Sequence, residues 1–289
     1  MPPENQRITL GPFTLFHPLA AGGMGEVWRG EHKATRLPVA VKVLTAESAR
    51  APAVRHALRQ EARATASLSH PHVGLLLDYG DVDDAASARS GGRLLAGSPY
   101  LVLELATGGT LQSWVGRPPS WSVLRAAILC VLDALAHAHG RGMLHRDVKP
   151  SNVLWCSMND QRPGLKLMDF GVSLPIGALD GAAALAQGTP GYMAPEQRLG
   201  DPSDQGPWTD LYGLGAMVWA IVQGAPPPEG GAGTWLPPLV SAPRGLGEWL
   251  CALLEPDPRR RVRRAADAAW ALMRLGEASG GLDVHDPHE

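Results

Sequence analysis

The sequence is poor in cysteine, with only Cys130, Cys156 and Cys251 in 289 residues. These three lie far apart and lack the short paired spacing of metal-binding cysteines, which argues against a disulfide framework and against a cysteine-based metal centre. Cys130 and Cys251 stand in apolar patterns typical of helices. We therefore expect buried free thiols in a reducing compartment, and a cytoplasmic location for the protein.

The sequence also lacks a large excess of charge of either sign and lacks long hydrophobic runs. Its 26 basic and 28 acidic residues give a formal net charge of −2, so no nucleic-acid partner is expected. The basic run 259–264 is interpreted as structural. No apolar run reaches the roughly 18 residues of a membrane span. The longest candidate, residues 211–222, is predicted to be a buried core helix, and residues 1–11 lack a signal-peptide pattern.

What the sequence does contain is a polar octet, residues 145–152, between two apolar segments. Residues 121–139 carry apolar side chains at helical spacing, and residues 153–155 are typical of a strand. In such a loop Asp147 can accept a proton, and Asn152 can offer a neutral oxygen to a divalent cation. Phosphoryl transfer requires both functions.

The octet reads His-Arg-Asp-x-Lys-x-x-Asn and resembles the catalytic loop of eukaryotic-type (Hanks-type) serine/threonine protein kinases. The resemblance implies that Asp147 is the catalytic base, that Lys149 neutralises charge on the γ-phosphate, and that Asn152 binds the metal. His145 and Arg146 are assigned structural roles. The resemblance covers residues 12–275, and residues 22–28 and 188–197 look like the bacterial branch of the family.

A glycine-rich hairpin is predicted near the N-terminus. Residues 13–21 alternate like a strand, break at residues 22–25 and resume as a strand at 26–30. Glycine lets backbone N–H groups approach phosphate oxygens closely. The first glycine of the family pattern is replaced by Ala20, which we expect to stiffen the loop slightly. The resemblance assigns ATP binding to Ala20, Ala21, Gly22, Gly23, Met24, Gly25, Val27 and Ala40.

The following strand and helix are predicted to supply an ion pair. Lys42 is the one charge in the apolar run 39–44, and Glu61 lies on the apolar stripe of the helix that follows. A carboxylate on such a stripe is costly unless it is paired. The resemblance pairs Glu61 with Lys42, which then orients the α- and β-phosphates. Thr65 replaces an apolar residue of the family and predicts weaker packing of this helix.

Beyond this helix, residues 81–98 are rich in Asp, Ala, Ser and Gly and are predicted to form a flexible surface insertion. A buried strand then leads into residues 104–108, which resemble the hinge of the kinase fold. The resemblance implies that the backbones of Glu104 and Ala106 bind adenine, with Leu103 as the gatekeeper.

A second acidic motif follows the strand predicted at 165–168. The carboxylate of Asp169 suits a hard cation such as Mg²⁺. The resemblance identifies Asp169, Phe170 and Gly171 as the metal-binding motif that opens the activation segment. It further implies that Thr189 belongs to the peptide-docking floor, that Glu196 pairs with the buried Arg261, and that Asp210 ties its helix to the backbone of the catalytic loop.

The activation segment is poor in hydroxyl groups. Between Asp169 and Tyr192 the hydroxyl side chains are those of Ser173 and Thr189. Arg146 is the residue that would bind a loop phosphate, yet residues 174–187 offer no acceptor for one. We hypothesise that activity does not depend on phosphorylation in the middle of this loop.

These features predict an α+β, bilobal protein-kinase fold, with a small N-lobe of antiparallel sheet plus one helix and a larger, mostly helical C-lobe. The kinase domain is placed at 9–276 and divided near residue 105, with a flexible tail at 277–289. We expect transfer of the γ-phosphate of ATP to Ser and Thr hydroxyls of protein substrates, the kinase itself included, with Mg²⁺ as cofactor and Mn²⁺ as its alternative. Two alternatives stay open: a nucleotide-binding pseudokinase scaffold and a small-molecule phosphotransferase. The oligomeric state is left undetermined.

Overall fold

Six segments with alternating side chains form strands in the computed structural model, which describes residues 7–21, 25–170, 189–199, 202–228 and 241–276. They are β1 (Ile8–Leu10), β2 (Phe13–Ala21), β3 (Gly25–His32), β4 (Pro38–Leu44), β5 (Leu76–Asp81) and β6 (Pro99–Glu104). Together they form an antiparallel sheet in the order β1-β2-β3-β4-β6-β5. The predicted hairpin is confirmed, because β2 pairs with β3 up to Ala21 and Glu26.

The sheet belongs to the first of two compact units. This unit holds the described residues between 7 and 109 and between 154 and 170, and the second holds those between 110 and 153 and between 189 and 276. The predicted domain limits of 9–105 and 106–276 stay a prediction. The two units differ from the predicted lobes because residues 154–170, which fall in the predicted C-lobe, group with the sheet.

The sheet packs apolar side chains on both faces, because successive side chains of a strand point to opposite sides. Trp28 and Val41 belong to the hydrophobic cluster on one face. Val27 and Ala40 belong to the cluster on the other face. Lys42 stands two residues after Ala40 and so shares the face of Val27 and Ala40.

Three helical segments accompany the sheet: α1 (Ala46–Ala49), α2 (Pro52–Ala66) and α3 (Asp84–Arg89). The prediction of one helix is therefore incomplete. Glu61 and Thr65 are both buried in α2, so Thr65 is accommodated within the packing. Helix α3 lies within residues 81–98, where we expected a flexible insertion.

Two further strands, β7 (Val153–Cys156) and β8 (Gly164–Leu167), pair with each other. Leu167 connects β8 to the rest of the first unit: its N–H donates to the carbonyl of His72 at 2.8 Å, and its carbonyl accepts from the N–H of Gly74 at 2.9 Å. These bonds explain why residues 154–170 group with the sheet. Asp169 and Phe170 follow β8 after one residue, Met168, and belong to the same unit.

The second unit is helical in its described residues. Its apolar segments form longer helices, and the predicted helix at 121–139 is confirmed with the same bounds. The helices are α4 (Trp121–His139), α5 (Pro195–Leu199), α6 (Pro207–Gln223), α7 (Leu246–Leu253) and α8 (Ala265–Arg274), with 3₁₀ turns at Leu111–Trp114, Pro150–Asn152 and Pro202–Asp204.

Helix α6 contains the predicted core segment 211–222, and every residue from Thr209 to Val222 is buried. Among the described residues, α4 alone is long and apolar enough to cross a membrane, which the sequence prediction did not anticipate. Nine of its 19 residues are buried inside the protein. Core helices show the same pattern, so α4 gives little support for a membrane span.

The three cysteines are free, but they are not equally buried. Cys156 is buried, Cys130 is half-buried and Cys251 is exposed, so the expectation of a buried thiol is wrong for Cys251. Burial raises the pKa of Cys156 to about 11. That thiol therefore stays protonated at neutral pH and is a poor nucleophile.

Candidate active site

The first unit brings one ammonium group and two carboxylates together. Lys42 of β4 donates to both oxygens of Glu61 of α2, at 2.7 and 3.0 Å. It also donates to Oδ1 of Asp169 at 3.0 Å. The predicted pair of Lys42 with Glu61 is confirmed, whereas the contact with Asp169 was not foreseen.

The charge state of this triad follows from its geometry. Burial alone would lower the pKa of Lys42, but the carboxylates of Asp169 and Glu61 outweigh it and raise that pKa above its ordinary value. Lys42 is therefore a permanent cation. Burial raises the pKa of Glu61, an effect that Lys42 opposes and Asp169 increases.

The apolar cluster beside Lys42 is suited to a flat ring. Val27, Ala40, Leu103, Leu105 and Met168 pack together on this face of the sheet. The predicted ATP-binding residues Val27 and Ala40 therefore lie together. The predicted gatekeeper Leu103 lies directly opposite Ala40 in the register of β4 and β6.

The side chain of Glu104 turns inward at the end of β6. Its Oε1 accepts from the N–H of Leu75 at 2.8 Å and from Nη1 of Arg162 at 3.1 Å. Its Oε2 is buried with no hydrogen-bond partner among the described residues. Burial raises the pKa of Glu104, while Leu75 and Arg162 oppose the rise. The side chain of Glu104 is therefore occupied by contacts within the protein, and its backbone is the part that the resemblance assigns to adenine binding. The second predicted adenine-binding residue, Ala106, is half-buried.

An unpredicted carboxylate fixes the next hinge residue. Asp160 accepts from the N–H of Thr107 at 2.9 Å, from its Oγ1 at 2.9 Å, and from the N–H of Ser157 at 2.6 Å. Burial would raise the pKa of Asp160, but these hydrogen bonds lower it overall. The Asn-Asp dipeptide in the β7–β8 turn is the sequence signal for such a turn, because Asx side chains bind nearby backbone N–H groups.

The second unit holds the predicted base in a dense polar network. Oδ2 of Asp147 accepts from Nζ of Lys149 at 2.6 Å and from Nδ2 of Asn152 at 3.1 Å. Its Oδ1 accepts from the N–H and Oγ1 of Thr189, at 3.0 and 2.9 Å. Lys149 also donates to Oγ1 of Thr189 at 2.5 Å. This network fixes the carboxylate next to a cation and a hydroxyl.

Each unit contains one side-chain oxygen of a type that a hard divalent cation accepts. Asn152 directs its Nδ2 to the carbonyl and carboxylate of Asp147, which leaves its amide oxygen as the group for a ligand. The Asp169 side chain, in the first unit, is 42% exposed. A carboxylate and an amide oxygen are the ligand types that Mg²⁺ accepts.

A buried carboxylate on α6 supports the catalytic loop. Asp210 accepts from the N–H of His145 at 2.8 Å and of Arg146 at 2.6 Å, as predicted. It also contacts Nε2 of His139 at 2.8 Å, which was not predicted. Burial would raise the pKa of Asp210, but the hydrogen bond and charge of His139 and the loop N–H groups lower it below its ordinary value.

The same loop carries backbone strain. Arg146 has a φ of 67°, a left-handed conformation that non-glycine residues rarely adopt. Its carbonyl accepts from Nε2 of Gln197 at 2.8 Å, so both backbone polar groups of Arg146 are bound. The N–H of Asp147 donates to Nδ1 of His145 at 3.2 Å. Gln197 was missed because a single glutamine in a polar stretch of sequence gives no distinctive signal.

The predicted pair of Glu196 and Arg261 is confirmed. Nη1 of Arg261 donates to Oε1 of Glu196 at 2.6 Å, and Nη2 donates to Oε2 at 3.1 Å. Both side chains are buried. The basic run 259–264 therefore includes a structural residue, as we interpreted it.

Several predicted residues lie outside the described ranges. They include Gly22, Gly23, Met24, Gly171 and Ser173, as well as residues 174–187 and the tail 277–289. Ala20 and Ala21 end β2 and Gly25 begins β3, so the structure does place the residues that flank the glycine-rich tip. Phe170 is buried.

Comparison with known proteins decides the family. Residues 13–235 match the protein kinase domain. The chain belongs to the protein kinase family. Among curated relatives, it is 36% identical to the serine/threonine-protein kinase Pkn1 of Myxococcus xanthus over 76% of this chain and 30% of that one. It is also 36% identical to PknA of Mycobacterium tuberculosis, over 76% of this chain and 49% of the relative.

The solved structures agree with this assignment. The kinase domain of Mycobacterium tuberculosis PknI superposes with a TM-score of 0.66 and 26% identity, over 93% of this chain and 98% of that one. The predicted bilobal kinase fold and the resemblance to bacterial Hanks-type kinases are thereby confirmed. The chain spans between about a third and a half of the length of the two curated relatives named above.

Proposed function

We propose that this kinase transfers the γ-phosphate of ATP to Ser and Thr hydroxyls of protein substrates. The observation that carries the proposal is the ion pair of Lys42 with Glu61, with Asp169 bound to the same ammonium group. An ATP-using kinase requires this pair in order to orient the α- and β-phosphates. A scaffold that only binds nucleotide has no need for the base and both metal ligands as well.

The residues divide the chemistry between them. Asp147 orients the acceptor hydroxyl and takes its proton as the oxygen forms a bond to the γ-phosphorus and the bond to the β–γ bridging oxygen breaks. Lys149, 2.6 Å from that carboxylate, neutralises charge on the transferred group. Asn152 and Asp169 would hold Mg²⁺, or Mn²⁺ in its place, and this cation supplies charge neutralisation for the phosphates when it is bound.

The wider setting is also part of the proposal. The relatives' names identify serine/threonine-protein kinases, and lysine at position 149 resembles that class rather than tyrosine kinases. The near balance of charge supports the proposal that nucleic acid is not a partner. The free cysteines support a cytoplasmic location.

Intact-mass measurement tests the proposal. Wild-type protein is incubated with ATP, Mg²⁺ and a basic acceptor protein, beside Asp169→Ala, Lys42→Met and the matched control Lys33→Met. Lys33 is an exposed lysine whose Nζ donates to the carbonyl of Gly11, so its loss should leave transfer unchanged. We expect phosphate on the acceptor or on the kinase with wild type and Lys33→Met, and none with the other two variants.

Two outcomes would contradict the proposal. Nucleotide binding without phosphate transfer would favour a pseudokinase. Transfer to small alcohols or aminoglycosides, with none to protein, would favour a small-molecule phosphotransferase.

A further inference from the structure

The insertion between β5 and β6 is a folded element. Its neck is closed by hydrogen bonds from the N–H of Val82 to the carbonyl of Ser98, and from the N–H of Gly97 to the carbonyl of Val82, both 2.8 Å. Helix α3 begins with Asp83 as its N-cap, which accepts from the N–H of Ala86. The hydroxyl of Ser87 donates to the carbonyl of Leu94 at 2.8 Å.

The insertion is anchored in the hydrophobic core of the sheet. Val82, Ala86 and Leu94 are buried to 3% exposure or less. They belong to the cluster that contains Trp28 and Val41. The insertion therefore covers the face of the sheet opposite to Val27 and Ala40.

Arg93 projects from this anchored element onto β3. Its Nη2 donates to both carboxylate oxygens of Glu26, at 3.0 and 3.1 Å. Its guanidinium lies over the ring of Trp28, 4.7 Å from the centroid. The indole N–H of Trp28 donates to the same carboxylate at 2.9 Å. The three side chains form a closed set of contacts, which we call the Arg93 clamp.

The clamp holds the strand that leaves the glycine-rich tip. Glu26 is the second residue of β3, immediately after residues 22–25. Here β3 runs so close to β4 that a Cβ on Gly25 would lie 2.3 Å from the carbonyl oxygen of Val43. Val27, between the two clamped residues, faces the opposite cluster. Arg93 therefore acts on the nucleotide-facing side through the backbone of β3.

We propose that Arg93 is a positioning residue for the ATP-binding hairpin. By fixing Glu26 and Trp28, it orders the start of β3 before nucleotide arrives, so that less conformational entropy is lost on binding. This inference rests on the proposed function, because it concerns the nucleotide of that reaction. The clamp has no part in proton or phosphate transfer, so it should affect ATP affinity and leave turnover unchanged.

The chain offers a matched control on the same strand. Arg36 pairs with Glu31 of β3 at 2.7 Å, also at the surface but at the far end of the strand from the glycine-rich tip. Arg36→Ala therefore removes the same kind of ion pair from the same strand without touching the clamp. Arg93→Lys is a second probe, because it keeps the charge and loses the planar group that stacks on Trp28.

The experiment measures affinity, turnover and backbone protection together. For Arg93→Ala we expect the Kd of a non-hydrolysable ATP analogue with Mg²⁺, and the KM for ATP, to rise about 3- to 10-fold, the range set by one exposed ion pair and one cation–π contact. The kcat should stay within about twofold of the wild-type value, because a variant that loses only substrate binding has a raised KM and an unchanged kcat. Amide hydrogen exchange should increase at residues 15–21 and 25–30. Arg36→Ala should change none of these values, and Arg93→Lys should fall between the two.

Three results would overturn the inference: an unchanged Kd for Arg93→Ala, an equal change for Arg36→Ala, or unchanged exchange at residues 15–21 and 25–30. A general loss of folding would appear as faster exchange throughout the first unit, and Arg93→Lys would then decide the question. If wild type binds no nucleotide, the proposed function fails, whereas hydrogen exchange of the nucleotide-free protein still tests the clamp.

Discussion

Replacing Arg261 with alanine should be among the most destabilising single changes in the second unit. The Arg261 side chain has no exposed surface, and that of Glu196 is 3% exposed. The guanidinium also donates to the carbonyls of Glu255 at 2.8 Å and Trp208 at 3.1 Å. Its loss leaves the Glu196 carboxylate buried with the hydroxyl of Thr209, at 2.9 Å, as its remaining side-chain donor among the described residues.

The magnitude follows from the cost of an unpaired buried charge. Removing one partner of a buried ion pair costs about 3–5 kcal/mol of unfolding free energy. This is a large share of a total of roughly 5–15 kcal/mol. For a protein of this size it corresponds to a fall in Tm of roughly 6–20 °C.

Urea unfolding and thermal unfolding of Arg261→Ala measure the effect, with Arg263→Ala as the control. Arg263 comes from the same basic run but is exposed, and it lies 3.7 Å from the ring centroid of Trp208. Its loss should cost under about 1 kcal/mol, as for other surface contacts. The double variant Arg261→Ala with Glu196→Ala should recover part of the loss, since it removes the unpaired charge. A loss below about 1 kcal/mol for Arg261→Ala, or equal losses for both arginines, would refute this reasoning.

Two further predictions concern the catalytic network and its support. Thr189 binds Asp147 through its hydroxyl, so Thr189→Val should lower kcat at least about tenfold, whereas Thr189→Ser should retain the wild-type kcat. Steady-state kinetics of the two variants would check this. Stoichiometric phosphate on Thr189 in the active enzyme, seen by mass spectrometry, would contradict it. Asp210 has a lowered pKa, so its ionised form stabilises the fold above about pH 4 and the stabilisation is lost as pH falls through the lowered value. The difference in unfolding free energy between wild type and Asp210→Asn should thus shrink as the pH falls below about 4; a difference that grows over that range would exclude this assignment.

The sequence predicted those parts of the fold that depend on local patterns. Helix α4 was predicted with its bounds because its apolar residues recur at helical spacing, and β4 was predicted because residues 39–44 form a short apolar run rich in valine. A partner was predicted for Glu61 because a carboxylate in an apolar stripe is costly unless it is paired. The choice of Lys42 as that partner, and the pair of Glu196 with Arg261, came from the resemblance to the kinase family. Periodicity and an unpaired charge are signals that a short window of sequence contains.

The missed features depend on contacts between distant segments. Helix α3 is only six residues long, and its apolar residues show no period, since its anchors Val82 and Leu94 lie outside the helix. The contact of Arg93 with Glu26 joins residues 67 positions apart. Cys251 illustrates the reverse error, because it lies in an apolar helical pattern yet on the exposed side of α7.

The route of the chain through the two units has a consequence for how the protein can be divided. The chain leaves the first unit after residue 109, re-enters it at residue 154 and leaves it again before residue 189. A polypeptide that ended at residue 109 would lack Asp169 and the strand that bonds to His72 and Gly74. No single cleavage releases either unit intact, so limited proteolysis between them should yield fragments that unfold rather than two separable domains. Exchange of whole units between related kinases would likewise require three crossover points in the gene.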